Sequence, residues 1–248
     1  MRCRSENQGL PQLLLDPPSE YGLSGEGMGM QSEEPQSGPP VGPVVYVVDD
    51  DPAMRSSLRW LIESVGFPVR TCASAQEFLR TYAPGDPGCL VLDVRMPGMS
   101  GLDLQTELQA RKIKIPILII TGYAEVPLAV RAMKAGAFEF IEKPFSDQTL
   151  LDRIRAAVMK DEVDRRQRAL REEVRARLRT LTPREGDVLE RVVVGNSNKL
   201  IAAELKLHQK TVEVHRAHAM AKLQAGSLAE LIRLWLVAHE DDDGNRSS

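Results

Sequence analysis

The sequence predicts an α/β domain followed by an all-α one: a doubly wound, five-stranded parallel sheet, a linker helix, then a four-helix unit holding a helix-turn-helix. Three observations carry this. Between Val44 and Met159, five apolar β-forming runs alternate with segments of helical period, and such alternation builds a parallel sheet with right-handed crossovers. The runs Val44–Val48, Cys89–Leu92 and Ile117–Ile120 are continuously apolar, as strands covered on both faces are. Beyond a charged stretch the chain changes to short helical segments joined by brief turns, which is helix-turn-helix architecture.

Each element of the first domain has a local reason. Val44-Val-Tyr-Val-Val48 runs into Asp49-Asp50-Asp51, and Pro52 suits the first turn of a helix. Met54, Leu58, Leu61, Ile62 and Val65 recur at helical spacing before Gly66 ends that helix. A short strand over Val69–Cys72 precedes a helix carrying Ala75, Phe78, Leu79 and Tyr82. The loop Pro84–Gly88 leads into the third strand, which ends in Asp93. Pro97, Gly98 and Gly101 then turn the chain into a helix from about Leu102 to Arg111. The fourth strand ends in Thr121-Gly122, and a helix from Val126 to Ala135 stops at Gly136. Phe138–Ile141 reads as the fifth strand. Lys143-Pro144 follows, and Ser146 caps a helix holding Leu150, Leu151, Ile154 and Val158. A strand order of 2-1-3-4-5 places the topological switch point, where ligands bind in such sheets, at the ends of the first and third strands. Those ends are Asp49-Asp50 and Asp93.

From Lys160 to Arg179 there are eight basic and five acidic residues, with a thin apolar stripe of Val163, Leu170, Val174 and Leu178. This reads as a linker helix continuing the preceding one, either solvated and laced with i,i+4 pairs or paired as a dimeric coiled coil. In Leu181-Thr182-Pro183-Arg184-Glu185, Thr182 and Glu185 form a capping box and Pro183 takes the first helical position. Val188, Leu189, Val192 and Val193 face inward until Gly195 breaks the helix. Asn198–Leu205 is a second short helix, Lys206–His208 a tight turn, Lys210–Leu223 a third helix, and Ser227 caps a fourth running to about His239.

The expected domains are a disordered tail over 1–43, an α/β domain over 44–159, the linker over 160–179, the helical domain over 180–240 and a frayed end over 241–248. The tail is rich in Gly, Pro, Ser, Gln and Glu and lacks any apolar period, so it cannot offset the entropy of ordering. The 248 residues suit two domains, and the net charge of −3 excludes bulk polyanion binding. Three distant cysteines, with no Cys/His cluster, argue against zinc or a disulfide framework and fit a reducing cytoplasm. No apolar run approaches the ~20 residues that span a bilayer.

Asp49, Asp50 and Asp93 supply the oxygen ligands that Mg²⁺ prefers, with room for water and phosphate. Three adjacent carboxylates, Asp49 to Asp51, also call for a compensating cation. Thr121 brings a hydroxyl to the same strand ends and Lys143 an ammonium. That set suits phosphoryl transfer to a carboxylate: charge to neutralise the incoming oxygens, a cation for the product, a hydroxyl to read the new group.

With Asp49-Asp50, Leu92-Asp93-Val-Arg-Met-Pro-Gly98, Thr121-Gly122 and Lys143-Pro144-Phe145 in this order and spacing, the stretch from Val44 to Met159 resembles the receiver domain of two-component response regulators. The resemblance implies that Asp93 accepts a phosphoryl group from a sensor histidine kinase. It implies Mg²⁺ on Asp50 and Asp93, with Asp49 acting through water and the backbone carbonyl of Arg95 as a further ligand. Thr121 would swing toward the phosphoryl group, Phe140 would turn inward behind it, and Lys143 would pair with its oxygens. A cis Lys143-Pro144 bond is also expected.

The stretch Leu181 to Leu234 resembles the LuxR-type helix-turn-helix through Gly195, Asn198-Lys199, Ile201-Ala202, Thr211-Val212-Glu213 and His215-Arg216. The whole chain looks like a member of the NarL/FixJ family, and Gly122 to Phe145 looks closer to the FixJ branch. The resemblance makes Lys210–Leu223 the recognition helix. Lys199, Lys210, Thr211, His215 and Arg216 would contact phosphates, while Glu213, Val214 and Ala217 would face base edges. Two residues depart from the family pattern: His208 stands where a Ser cap is usual, and Gly186 lies inside a helix.

The expected function is a DNA-binding transcription regulator, itself no enzyme, switched by phosphorylation of Asp93. Phosphorylation would favour a receiver homodimer, through a face holding Val126, Val130 and Lys134, and would promote binding to promoter DNA and contact with RNA polymerase. One alternative is a phosphate-independent regulator using the first domain for dimerisation or docking. A second is an aspartyl-phosphate phosphatase of the dehalogenase type, opposed by Arg95, which stands where such enzymes carry a second Asp. Synthesis starting at Met28 or Met30 would remove most of the tail, and the intact mass of natively expressed protein distinguishes those starts from Met1.

Overall fold

A computed structural model describes residues 42–123 and 125–239. The tail up to residue 41, with Met28 and Met30, and the end from residue 240 lie outside the described residues. Strands β1 (Val44–Val48), β2 (Val69–Cys72), β3 (Gly88–Asp93), β4 (Ile117–Thr121) and β5 (Glu139–Glu142) form one parallel sheet in the order β2-β1-β3-β4-β5.

The continuous apolar runs explain why this sheet is buried on both sides. Alternate residues Val44, Tyr46, Val48, Leu90, Leu92, Ile117 and Ile119 share a core with α2 (Ala75–Thr81), α3 (Gly101–Ala110) and α4 (Val126–Lys134). The interleaved Val45, Val47, Cys89, Val91, Leu118 and Ile120 pack with α1 (Pro52–Glu63) and α5 (Asp147–Leu178). The fifth strand starts one residue later than its apolar run suggested. The Phe138 N–H bonds to the Ile117 carbonyl at 2.8 Å, ahead of the ladder that pairs Glu139 with Leu118.

Two glycines let backbones meet where a side chain would collide. A Cβ on Gly88 would fall 1.8 Å from the Val44 carbonyl oxygen, and Gly88 has a φ of +143°. A Cβ on Gly101 would fall 2.2 Å from the Asp93 carbonyl oxygen. The first turn of α3 is therefore seated on the end of β3, and the capping box of Ser100 and Asp103 starts that helix there.

α5 runs unbroken through the expected linker, for 32 residues. Buried Asp161 on it accepts a hydrogen bond from the Gly88 N–H at 2.9 Å, which ties the helix to the start of β3. From Lys160 onward the helix carries i,i+4 ion pairs such as Lys160–Asp164 and Arg177–Glu173. Its last turns join the second domain. Val174 is buried in a third core, Leu178 packs on it, and Arg175 and Arg177 donate to the Ala238 and Leu223 carbonyls at 3.0 and 3.3 Å.

That core is built by α6 (Pro183–Val193), α7 (Asn198–Leu205), α8 (Gln209–Leu223) and α9 (Leu228–His239). The Thr182–Glu185 capping box forms in both directions. Glu185 is buried, and its carboxylate also accepts from Lys222 Nζ at 2.6 Å, joining α6 to α8. That hydrogen bond, with one from the Thr182 backbone N–H, holds its carboxyl down to about 2. His208 caps α8 with backbone alone, without a side-chain bond. A Cβ on Gly186 would meet nothing within 4 Å.

Three stability measurements follow from these contacts. Gly186→Ala should stabilise the helical domain by about 0.5–1 kcal/mol, and His208→Ser by about 1 kcal/mol, both read by thermal unfolding. Glu185→Gln should melt several degrees lower at neutral pH. A depressed carboxyl stabilises the fold above its unfolded pKa of about 4.3 and loses that contribution as pH falls through the folded value. The gap between variant and wild type should therefore narrow below about pH 4.5 and close near pH 2.

Candidate functional site

Parallel pairing in register brings the C-terminal strand ends together. Val48 lies beside Leu92, Asp93 beside Ile120, and Thr121 beside Glu142. Asp49, Asp93 and Thr121 are all buried there. Lys143, one residue past β5, reaches over the sheet and donates to Asp93 Oδ1 at 2.7 Å and to Asp49 Oδ2 at 3.0 Å. Two carboxylate oxygens sharing one ammonium lie within about 6 Å of each other, and their repulsion at an effective dielectric near 20 is roughly 3 kcal/mol. The ammonium offsets it for these two carboxylates.

The other carboxylate oxygens are also engaged. The Arg95 N–H donates to Asp93 Oδ2 at 2.7 Å, and the Asp51 N–H to Asp49 Oδ1 at 2.9 Å. Burial pushes the Asp93 carboxyl above its usual range, although Lys143 and the Arg95 N–H oppose this. Burial alone would lower Lys143, but its bonds and charges with Asp93 and Asp49 raise it on balance, so it is a fixed cation. Thr121 Oγ1 accepts from the Tyr123 N–H at 3.2 Å. The Lys143-Pro144 bond is cis.

Not every expected residue converges. Asp50 is exposed at the mouth, and Phe140 is half-buried against the core below α4. Among the described residues, no three carboxylate, histidine or cysteine groups close on one point as a ready metal cage. Lys143 bridges two of the three carboxylates, Asp49 and Asp93. Hard carboxylate oxygens at three adjacent positions still suit Mg²⁺.

Two residues at the site, Arg55 and Tyr123, were not read from the sequence. The Arg55 guanidinium donates to the Asp49 and Asp50 carbonyls at 2.7 and 2.9 Å; its signal was a basic residue one turn into the helix after an acidic triplet. The Arg95 guanidinium lies 3.6 Å from the Tyr123 ring centroid, a cation–π contact spanning the β3 and β4 loops. Its signal was an aromatic residue two places after Thr121.

The second cluster lies on α7 and α8. Lys199, Lys210, Val214 and Ala217 are exposed, while Thr211, Glu213, His215 and Arg216 are half-buried. Lys210 pairs with Glu213 at 3.3 Å, and Arg216 Nη1 donates to Asn198 Oδ1 at 3.4 Å, fixing α8 to the start of α7.

A five-stranded 2-1-3-4-5 sheet with an Asp–Asp–Lys cluster at its switch point, joined to a helix-turn-helix, defines a receiver domain coupled to a DNA-binding domain. Comparison with known proteins agrees. The profile of the response regulator receiver domain matches residues 45–155, and that of bacterial regulatory proteins of the luxR family matches residues 179–235. The chain is 47% identical to the transcriptional regulatory protein FixJ of Bradyrhizobium diazoefficiens over 77% of this chain and 93% of that protein. It is 43% identical to the C4-dicarboxylate transport regulator DctR of Rhodobacter capsulatus over 77% of this chain and 98% of that one. The response regulator StyR matches in structure with a TM-score of 0.70 at 46% identity, covering 78% of this chain and 98% of its own. Full-length FixJ from B. japonicum matches with a TM-score of 0.50 at 46% identity, covering 79% and 97%. The chain belongs to the NarL/FixJ family of two-component response regulators, on the FixJ branch. It is a DNA-binding transcription regulator, of a family whose members regulate and do not catalyse. No helix among the described residues is long and apolar enough to cross a membrane.

Replacing Lys143 with Met leaves Asp49 and Asp93 facing each other. The variant should lose about 1–3 kcal/mol of stability at pH 8, discounted for the partial exposure of Lys143. Because Asp93 takes up a proton more readily folded than unfolded, the deficit should shrink as pH falls toward 4, as denaturant titrations at several pH values would read.

Proposed function

We propose that Asp93 is the phosphoacceptor of this regulator, charged by a sensor histidine kinase. The observation that carries the reading is the Lys143 ammonium held between Asp93 and Asp49. A carboxylate oxygen of Asp93 would attack the phosphorus of a phosphohistidine, forming a P–O bond as the P–N bond breaks and the imidazole leaves. Lys143, already 2.7 Å from Asp93, would stay paired with the new phosphoryl oxygens. The Arg95 N–H, 2.7 Å from Oδ2, orients the carboxyl. Asp49, Asp50 and Asp93, with the Arg95 carbonyl, are the groups that would hold Mg²⁺, whose charge would neutralise the phosphoryl oxygens.

The Thr121 hydroxyl, at the end of the neighbouring strand, would read the phosphoryl group. Phe140, half-buried one strand further on, would follow it inward. The face of α4 exposes Val126 and Val130; with Lys134 it would form the receiver homodimer. α8 would enter the major groove of promoter DNA. Lys199, Lys210, Thr211, His215 and Arg216 would hold phosphates, and Glu213, Val214 and Ala217 would face bases. Glu213 is paired with Lys210 in the free protein, so DNA would have to part them. Leu181 to Glu240 carries eight basic against seven acidic residues, so one copy should bind weakly and two linked copies much better. The bound regulator would work in the cytoplasm and contact RNA polymerase.

The test is Asp93→Asn in cells under inducing conditions and in a promoter-binding assay with phosphorylated protein. Promoter affinity should fall at least about tenfold, as for the loss of one linked half-site. Wild-type activation by Asp93→Asn would overturn the reading.

A further inference from the structure

The three adjacent acids before α1 have different partners. Asp51 caps the helix, its carboxylate accepting from the Ala53 N–H at 2.8 Å. Asp49 is buried, and its carboxylate takes the Asp51 N–H and the Lys143 ammonium. Asp50 is exposed, and its carboxylate has no protein donor among the described residues. It is the acid left over for a cation, and the fold holds it by its backbone.

That backbone is bonded to one side chain. Arg55, at the end of the first turn of α1, donates from Nη1 to the Asp49 carbonyl at 2.7 Å and to the Asp50 carbonyl at 2.9 Å. Its own N–H bonds to the Asp51 carbonyl at 3.0 Å. The passage from strand end to helix start is therefore tied to Arg55 at three successive residues. Hydrogen bonds from a charged donor are among the stronger ones, and these fall on carbonyls, so both Asp50 carboxylate oxygens stay free.

A guanidinium at this point acts on a nearby cation in two opposite senses. Its charge repels the cation. Its hydrogen bonds hold the acidic ligands in place, and an ion that demands near-octahedral geometry is bound well by ligands already set. Arg55 is half-buried, so water and salt screen its repulsion, while the hydrogen bonds at 2.7 and 2.9 Å act at contact.

We propose that Arg55 is a positioning residue for phosphoryl transfer, holding the Asp49-Asp50 backbone so that the acids are presented to Mg²⁺, with order outweighing repulsion. The inference rests on the proposed phosphoacceptor reading, which gives the same acids to the metal. The sign of one effect decides it. Were Arg55 to act by charge alone, its removal would tighten Mg²⁺; as a positioning residue, its removal weakens Mg²⁺.

The test titrates the full chain with MgCl₂ in the absence of phosphodonor, read by the amide NMR shifts of Asp51 and Ala53, for wild type, Arg55→Met and Arg55→Lys. The Kd for Mg²⁺ should rise about tenfold in Arg55→Met, as for loss of one charge-assisted hydrogen bond. It should rise by about threefold in Arg55→Lys, which keeps the charge and a donor on a shorter stem. With acetyl phosphate, the rate of phosphate addition at saturating Mg²⁺ should stay within about twofold of wild type, because the loss lies in holding the ion. An unchanged or lower Kd in Arg55→Met would overturn the proposal. A raised Kd with a rate that saturating Mg²⁺ fails to restore would overturn the positioning role in favour of a direct part in transfer. No response of wild type to Mg²⁺ would overturn the metal reading and the role of Arg55 with it. If wild type binds Mg²⁺ but takes no phosphate, the phosphoacceptor reading fails and the role of Arg55 is decided by Kd. Should Arg55→Met fail to fold, Arg55→Lys carries the test, and a Kd equal to that of wild type would overturn the proposal.

Discussion

The structure depends on holding two carboxylates, Asp49 and Asp93, side by side at the ends of adjacent strands. Parallel pairing of β1 with β3 forces them together, and the ammonium of Lys143 makes the arrangement tolerable. Much of the receiver serves this. Gly88 lets β3 lie against β1, and Gly101 lets α3 close on the Asp93 backbone. β5 stands beyond β4, so that the residue after it reaches back over the sheet to both acids. A cluster so charged and so buried is costly unless every oxygen has a donor, and here each has one.

Where the sequence was explicit, physics left few alternatives. Continuous apolar runs had to be strands covered on both faces, and the Thr182–Glu185 spacing had to be a capping box. Strand-end Asp, Thr and Lys converge because a parallel sheet puts all C-terminal ends on one edge. What stayed illegible was which partner covers a given face. The stripe of Val163, Leu170, Val174 and Leu178 was read as solvated or as a coiled coil; Val163 and Leu170 are exposed, while Val174 and Leu178 pack on the helical domain of their own chain. Periodicity shows that a face is apolar, not what meets it. Buried Gln105 on α3 shows the same limit from the other side, a polar residue at a core position that donates to the Ala132 and Ala135 carbonyls, partners with no mark in the sequence. The outward Asp50 depends on a side-chain orientation that spacing does not set.

α5 gives the two domains a shared element. At one end Asp161 is bonded to the Gly88 N–H, at the start of the strand that ends in Asp93. At the other, Arg175 and Arg177 hold the carbonyl ends of α9 and α8. In the helical domain, His208 gives α8 no side-chain cap and Gly186 lies inside α6, where each lowers helix stability.

The central claim is that the Asp49–Asp93–Lys143 cluster exists to carry a phosphoryl group on Asp93. It is tested most directly by intact mass after incubation with Mg²⁺ and a small phosphodonor, wild type beside Asp93→Asn. The account predicts one phosphate on wild type and none on the variant. No adduct on either protein, with both folded, would contradict it and favour a regulator that works without phosphate.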